Sequence, residues 1–225
     1  MDMKIIVVAI CVFCITAVDA FAQSPYMKKR AEELSAAYVR LQSDSSASAQ
    51  QAFLRAFPEE WTDFLCIFDY IDLGGRDTER YIERFGSLTA VNDTAYCIKL
   101  LMLASGADLE AGLPEAFRNM LHQRLECCSC VRSTKEVSSN KDVLPIVFML
   151  LADALPGDQM RFWQFYWSSL HSKEGGFASH EQELMRMRGR LEKEGYKDLT
   201  EIMEIAYKYF NDGVLYLYDK RFKAD

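Results

Sequence analysis

The sequence predicts an all-α protein, an array of about ten short antiparallel helices around a central hydrophobic hairpin. Apolar residues recur at helical spacing through most of the chain, and Gly, Pro and short polar clusters divide it into segments of one to four turns. No convincing pair of strands is present. Half of the 225 residues are hydrophobic, so we expect a well-filled core in a single domain.

The central hairpin spans Asp142 to His171 and is divided by Pro156-Gly157-Asp158. Both halves are hydrophobic over most of their circumference, which predicts two helices buried in the core. Neither half approaches the roughly 20 residues that a membrane span requires. The aromatic residues at helical spacing in the second half are Phe162, Trp163, Phe165, Tyr166 and Trp167.

The helices before the hairpin are predicted from stripes of apolar residues, and their ends are predicted from the residues that interrupt those stripes. Pro58 is expected in the first turn of one helix, followed by Glu59 and Glu60 at the positive end of the helix dipole. In that helix Trp61, Phe64, Leu65 and Phe68 recur at i, i+3, i+4 and i+7. The other predicted helices are 27–42, a short segment ending at Phe57, Asp77 to about Gly86, 95–104 and 114–125.

Two more helices are predicted after the hairpin. The first runs from His180 to Glu194, preceded by a capping box of Ser179 and Gln182 and ended by Gly195. Its expected buried residues are Leu184, Met187 and Leu191. The second runs from Asp198 to Asn211, and the segment VLYLYDKRF after it is expected to form a short helix or an extended segment packed on the bundle.

The first 22 residues have the pattern of a signal peptide. Lys4 supplies the positive start, Ile5 to Val18 a mostly apolar core, and Ala20-Phe21-Ala22 a small-x-small cleavage site. We therefore expect an exported protein, periplasmic or secreted, whose mature domain covers 23–225 and has no stable membrane span. A retained anchor helix is the weaker alternative because the apolar run is short.

Export leaves five cysteines in the mature chain, so at least one has no partner within the monomer. Cys66 and Cys97 lie on apolar helix faces and are predicted to be small core residues. The cluster Cys127, Cys128 and Cys130 is the candidate for a disulfide or redox role. A soft-metal site is disfavoured, because structural zinc sites pair cysteines as CxxC.

No catalytic signature is present. His171, Glu174 and His180 bracket a Gly-Gly loop, but their spacing matches no helix-borne ligand motif such as HExxH. The chain lacks a GxSxG elbow, a phosphate-binding Gly-rich loop and a recognisable catalytic Cys/His motif. The sequence therefore predicts no enzyme, no metal and no cofactor.

The charge distribution predicts no nucleic-acid partner. An acidic surface is compatible with a basic protein partner, but more often it only keeps a protein soluble. The formal net charge is −7, and Lys and Arg are spread thinly, whereas a duplex-binding protein would show a basic stripe. Arg186, Arg188, Arg190 and Lys193 form a small basic patch, but neighbouring glutamates are expected to neutralise it.

Two long polar intervals, Glu126 to Lys141 and Ser172 to Ser179, are predicted to carry the partner contacts, because long loops on rigid scaffolds often do. The predicted contact residues are Glu126, Arg132, Lys135, Glu136, Lys173, Glu174 and Phe177.

Two segments, FPEEWTDFLCIFDY (Phe57 to Tyr70) and RFWQFYWSSLHS (Arg161 to Ser172), resemble the paired aromatic signatures of small exported helical proteins of Bacteroidetes bacteria. In that group an early helix carries FP-x-x-x-x-x-F and a late helix carries FW-x-F-aromatic. Some members look like immunity proteins, which protect a cell against toxins delivered by its neighbours. The shared positions are apolar, so the resemblance transfers no catalytic residue.

These observations favour an exported interaction protein, most concretely an immunity protein that neutralises a cognate toxin by steric occlusion. The alternative is a periplasmic carrier of a small apolar ligand, which an enclosed cavity near Trp163 or Phe165 would favour. An envelope hydrolase would instead need a cleft where several titratable groups converge. A filled core with a concave acidic face favours the partner-binding interpretation.

Overall fold

The computed structural model describes residues 25–71, 76–107, 115–125, 142–169 and 180–213, and these contain ten α-helices and no strand. The all-α prediction is confirmed. The helices are α1 (Pro25–Ser43), α2 (Ala47–Ala56), α3 (Trp61–Ile71), α4 (Arg76–Gly86), α5 (Asp93–Gly106), α6 (Glu115–Leu125), α7 (Leu144–Ala152), α8 (Pro156–Ser169), α9 (His180–Glu194) and α10 (Lys197–Asn211).

Several predictions concern residues outside the described ranges. They are the signal peptide, the cluster Cys127, Cys128 and Cys130, the capping residue Ser179, the polar intervals 126–141 and 172–179 with all seven predicted contact residues, and the segment VLYLYDKRF.

The second half of the predicted hairpin, α8, lies at the centre of the array. It packs against α5, α6, α7 and α10, and every side chain from Phe162 to Trp167 is buried. A helix covered on all sides needs no polar face, which explains its unbroken aromatic run. The first half, α7, buries one face only and exposes Met149.

An aromatic series connects the N-terminal helices to α8. Phe57 stacks on Phe85 of α4 with ring centroids 4.2 Å apart. Phe64 of α3 and Phe165 of α8 both contact Phe117 of α6, at 5.8 and 5.7 Å. Such aromatic pairs add to the stabilisation from buried area alone, and the described core residues form one continuous cluster.

The start of α3 differs from the prediction. Pro58 was expected in its first turn, but the helix begins at Trp61. Phe57 ends α2 in an extended conformation, and its carbonyl accepts a hydrogen bond from Lys99 Nζ on α5. A residue before proline favours this conformation. The hydrogen bond at the start of α3 is donated by the Phe64 N–H to the carbonyl of Glu60, at 2.9 Å. Leu65, predicted on the buried stripe, is substantially exposed, whereas Ile67 is buried.

The buried face of α9 also differs from the prediction, because it contains a carboxylate. Glu183 is buried, and Leu184 is only partly so. Glu183 accepts a hydrogen bond from the hydroxyl of Tyr166 in α8, and Arg186 donates two more to it at 2.7 and 2.6 Å. Burial, with the nearby Glu183, raises the pKa of Tyr166 well above its ordinary value, so the phenol stays a donor.

Cys66 and Cys97 are buried free thiols, as predicted. Burial raises the pKa of Cys66, and it raises the pKa of Cys97 to about 12. Both sulfurs therefore remain protonated at neutral pH and pack as small apolar groups. No helix within the described ranges is both long and apolar enough to cross a membrane.

Candidate functional site

The histidines within the described ranges pack against aromatic rings. His122 is buried beside Tyr166, with ring centroids 5.7 Å apart. His180 lies with its centroid 5.6 Å from that of Phe210. Among the residues that the structure describes, no three His, Cys, Asp or Glu side chains are grouped as a metal site.

The predicted neutralisation of the basic patch on α9 by neighbouring glutamates is confirmed for Arg186 and Arg188, whereas Arg190 pairs with an aspartate from another part of the chain. Arg186 pairs with the buried Glu183. Arg188 pairs with Glu192 at 2.9 Å and with Glu204 of α10 at 3.3 Å. Arg190 pairs with Asp142 at 2.6 Å. This face therefore offers little net charge to a polyanion.

One concavity within the described ranges is a groove of about 510 Å³ between α3, α5, α7 and α8, here called the α5 groove. None of its lining residues is among the site residues that the sequence predicts. Its size falls within the range of ligand and peptide sites. The residues that line it are Glu60, Trp61, Thr62, Ile98, Leu101, Met102, Ser105, Gly106, Leu150, Leu151, Ala154, Asp158 and Arg161.

One stripe of α5 forms the floor of the groove. Ile98, Leu101, Met102 and Ser105 recur at i, i+3, i+4 and i+7, so they lie on one face of the helix. Ile98 and Met102 are 43% and 42% exposed although both are large and apolar. An apolar stripe that remains open to solvent inside a concavity is typical of a binding surface.

A close approach of α3 and α5 closes one end of the groove. A Cβ atom at Gly106 would lie 3.2 Å from the Cβ of Trp61. This separation is tighter than an ordinary van der Waals contact, so a larger residue at position 106 would push the two helices apart. Gly106 therefore sets the distance between α3 and α5 at this end of the groove.

Lys99 stabilises the connection between α2 and α3, which lies beside the groove. Its side chain is buried, and Nζ donates hydrogen bonds to the carbonyls of Leu54 (2.8 Å) and Phe57. Glu59 lies 3.4 Å from the same nitrogen. An ammonium at the end of α2 complements the helix dipole and satisfies carbonyls that the helix leaves free.

Burial lowers the pKa of Lys99 to about 8 from its ordinary 10.5, and Glu59 offsets part of this effect. Between about pH 8 and 10.5 the unfolded chain therefore holds a proton at this site that the folded chain has released. The contribution of Lys99 to stability rises with pH across that window.

We expect Lys99→Met to lower the free energy of unfolding by about 2 kcal/mol at pH 7, because it leaves buried carbonyls without donors. The deficit relative to the wild type should grow as the pH rises from 8 to 10.5. Urea unfolding of both proteins at several pH values measures it, and a deficit that stays constant across the window would contradict the account.

The charges on the groove are mostly acidic. Asp158 and Arg161, one turn apart on α8, pair at 2.5 Å and neutralise each other. Glu60 is exposed, and no basic side chain within the described ranges forms an ion pair with it. The groove therefore combines an apolar floor with one uncompensated carboxylate at its edge.

The described lining of the groove contains carboxylates but no imidazole, thiol or amine. Its titratable side chains are Glu60, Asp158 and Arg161, and the hydroxyls of Thr62 and Ser105 lie in the same lining. An envelope hydrolase would need converging titratable groups. Among the described lining residues these groups are one exposed carboxylate, Glu60, and one ion pair between Asp158 and Arg161.

A second concavity, about 490 Å³ between α1 and α4, is more polar and less suited to an apolar partner. It is lined by Tyr38, Gln42, Arg80, Glu83, Arg84 and Ser87. The guanidinium of Arg84 already donates to the carbonyl of Leu41 at 2.8 Å.

One signal in the sequence could have indicated the α5 groove. The segment from Ala95 to Ala104 is apolar around its circumference except at Lys99, so it offers no obvious solvent-facing side. Such a helix is either covered by neighbours or leaves an apolar face exposed. The sequence does not distinguish these outcomes.

Comparison with protein-family models, with curated proteins and with solved structures found no match for this chain.

Proposed function

We propose that this is an exported interaction protein that neutralises a toxin by steric occlusion, and that the α5 groove is its docking surface. The observation that carries the proposal is the open apolar stripe of Ile98 and Met102 within a concavity of about 510 Å³. Contiguous exposed apolar surface inside a groove favours association with another protein.

The aromatic packing around Trp163 and Phe165 supports this interpretation over a storage site beside these two residues. Trp163 and Phe165 are buried and contact further aromatic rings. Side chains packed in this way stabilise the fold, and so partner recognition falls to the surface. The formal charge of −7 would steer a basic partner toward the protein surface.

The volume of the groove favours a second candidate, a carrier of a small apolar ligand. Carriers enclose most of the ligand surface, whereas this groove is open along Ile98 and Met102. Protein docking therefore accounts better for the exposed stripe.

The proposal predicts that Met102→Glu abolishes protection. The full-length protein, with its signal, would be co-expressed with the exported product of the adjacent gene, and survival would be counted. A carboxylate in the apolar stripe should weaken docking by tenfold or more, because a buried interface charge needs a partner. Since Met102 is 42% exposed, folding should be little affected.

Met185→Glu is the matched control, since Met185 is 74% exposed on α9, away from the groove. It should protect as well as the wild type. If the wild type gives no protection, the toxin-neutralising function is wrong. If Met102→Glu protects fully, the groove is not the docking surface.

A further inference from the structure

We infer that the α5 groove takes an amphipathic α-helix of the partner, with apolar residues on two successive turns and a basic residue beside Glu60. This inference rests on the proposed function and adds the conformation and charge of the docked segment. Three features of the groove carry it: the state of its backbone, the length of its stripe and its charge.

The backbone of the groove offers an extended segment few hydrogen-bond partners. Most lining residues belong to helices, whose interior N–H and C=O groups are already paired. The described ranges contain no strand, so no sheet edge is available there for strand addition. An extended chain would bury its own polar backbone without partners, at a cost for each group. A helix satisfies its backbone internally.

The length of the stripe matches two helical turns. Ile98 and Ser105 are seven residues apart, so the stripe extends about 10 Å along α5 at 1.5 Å per residue. Leu101 and Met102 lie between them, and Leu150 and Leu151 of α7 form part of the opposite wall. Apolar anchors at i, i+3 or i+4, and i+7 of an incoming helix would contact the whole stripe.

The charge of the groove predicts a cationic residue at one end of the docked helix. Glu60 precedes Trp61, whose Cβ contacts Gly106 at the C-terminal end of the stripe. Its carboxylate is exposed and has no ion pair within the described ranges, whereas Asp158 is held by Arg161. A Lys or Arg on the incoming helix would therefore pair with Glu60 and fix the direction in which the helix lies.

Binding of designed peptides to the mature protein tests the inference. The parent probe is a helical peptide of about 18 residues with Leu at i, i+3, i+4 and i+7 and one flanking Lys. A second peptide has Pro in its centre, and a third has Glu in place of Lys. We expect Pro to weaken binding at least tenfold, because it breaks the helix. Glu should weaken it about threefold, less so at high salt.

The protein variants give matched controls in the same titrations, read by fluorescence anisotropy. Met102→Glu should weaken binding of the parent peptide at least tenfold. Glu60→Gln should remove the preference for the Lys peptide over the Glu peptide. Met185→Glu should change neither the affinity nor this preference. The inference is overturned if the Pro peptide binds as well as the parent, or if Met102→Glu leaves binding unchanged.

Other occupants give distinct results. Stoichiometric binding of 1-anilinonaphthalene-8-sulfonate that Met102→Glu abolishes, with no peptide binding, would overturn the inference in favour of a small ligand. A dimer in sedimentation that Met102→Glu dissociates would overturn it in favour of a second copy.

The inference and the proposed function can also fail separately. If Met102→Glu abolishes protection in cells while the peptides bind without helical preference, the proposed function stands and the helical occupant is wrong. If the peptides bind with helical preference while the wild type gives no protection, the helical occupant stands and the toxin-neutralising function is wrong.

Discussion

Trp163→Ala is expected to lower the free energy of unfolding by about 3–5 kcal/mol, the range for large aromatic truncations in a core. Trp163 is fully buried in α8 and contacts the rings of Phe162, Tyr166 and Trp167 at centroid distances of 5.2, 5.7 and 6.3 Å. Because α8 packs against four other helices, little collapse into the vacated space is expected. Urea denaturation should show a lower midpoint with an unchanged slope.

Trp163→Phe and Met185→Ala complete the comparison. Phenylalanine keeps much of the ring volume, so Trp163→Phe should lower the free energy of unfolding less than Trp163→Ala does. Met185 is 74% exposed, so its truncation should change stability by no more than about 0.5 kcal/mol. A loss below about 1 kcal/mol for Trp163→Ala would mean that α8 is not the structural centre of the fold.

Arg186→Met is expected to destabilise the protein by about 2–4 kcal/mol, because it leaves the buried carboxylate of Glu183 without its cation. Arg186 donates two hydrogen bonds to Glu183, and the hydroxyl of Tyr166 supplies another. Since the side chain of Arg186 is 24% exposed, the effect should fall below that of a fully enclosed pair. Thermal and urea unfolding measure it.

The triple variant Tyr166→Phe, Glu183→Leu, Arg186→Met separates two explanations of the loss in Arg186→Met. Either that variant is destabilised because it leaves a buried charge unpaired, or the intact network makes a net contribution to stability. Replacing every partner by an apolar group removes the desolvation cost together with the hydrogen bonds. We therefore expect it to be more stable than Arg186→Met alone. A triple variant less stable than the single one would show that the network contributes more than its parts.

The network also has a consequence for the packing of α9. Helix α9 packs mainly on α10, and the bond between Tyr166 and Glu183 connects it directly to α8. A buried polar network of this kind favours one register over others, because a shifted helix would leave a charge unpaired. Arg190 and Asp142 add a second, exposed connection to the start of α7.

Local patterns in the sequence were sufficient for much of the fold. The predicted bounds of α9, His180 to Glu194, agree with the structure, because Gly195 follows with φ of +86° and ends the helix. The buried character of α8 was equally predictable, since its aromatic run has no polar side to expose. These features depend on neighbouring residues, which a sequence displays directly.

Features that depend on distant residues could not be predicted in the same way. The Phe57 carbonyl, at the end of α2, accepts a hydrogen bond from Lys99, which lies 42 residues further along the chain. Likewise, Glu183 is buried because Tyr166 and Arg186 satisfy its carboxylate, although glutamate alone predicts an exposed position.

The α5 groove was unpredictable for the same reason. Its walls come from α3, α5, α7 and α8, and their convergence is a property of tertiary packing. Sequence reasoning instead selected polar intervals as contact elements, since polarity and length are visible locally. The groove and those intervals give competing predictions for where the proposed partner would contact the protein.

Photo-crosslinking in cells tests most directly whether the partner docks on the α5 groove. p-Benzoylphenylalanine would be placed at Met102 in the groove, at Met185 on the outer face of α9, and at Lys135 and Lys173 in the two polar intervals, with the adjacent gene's product co-exported. We predict a crosslink to that product from position 102 and none from position 185. Crosslinks from 135 or 173 with none from 102 would contradict the account and place the partner on the polar intervals.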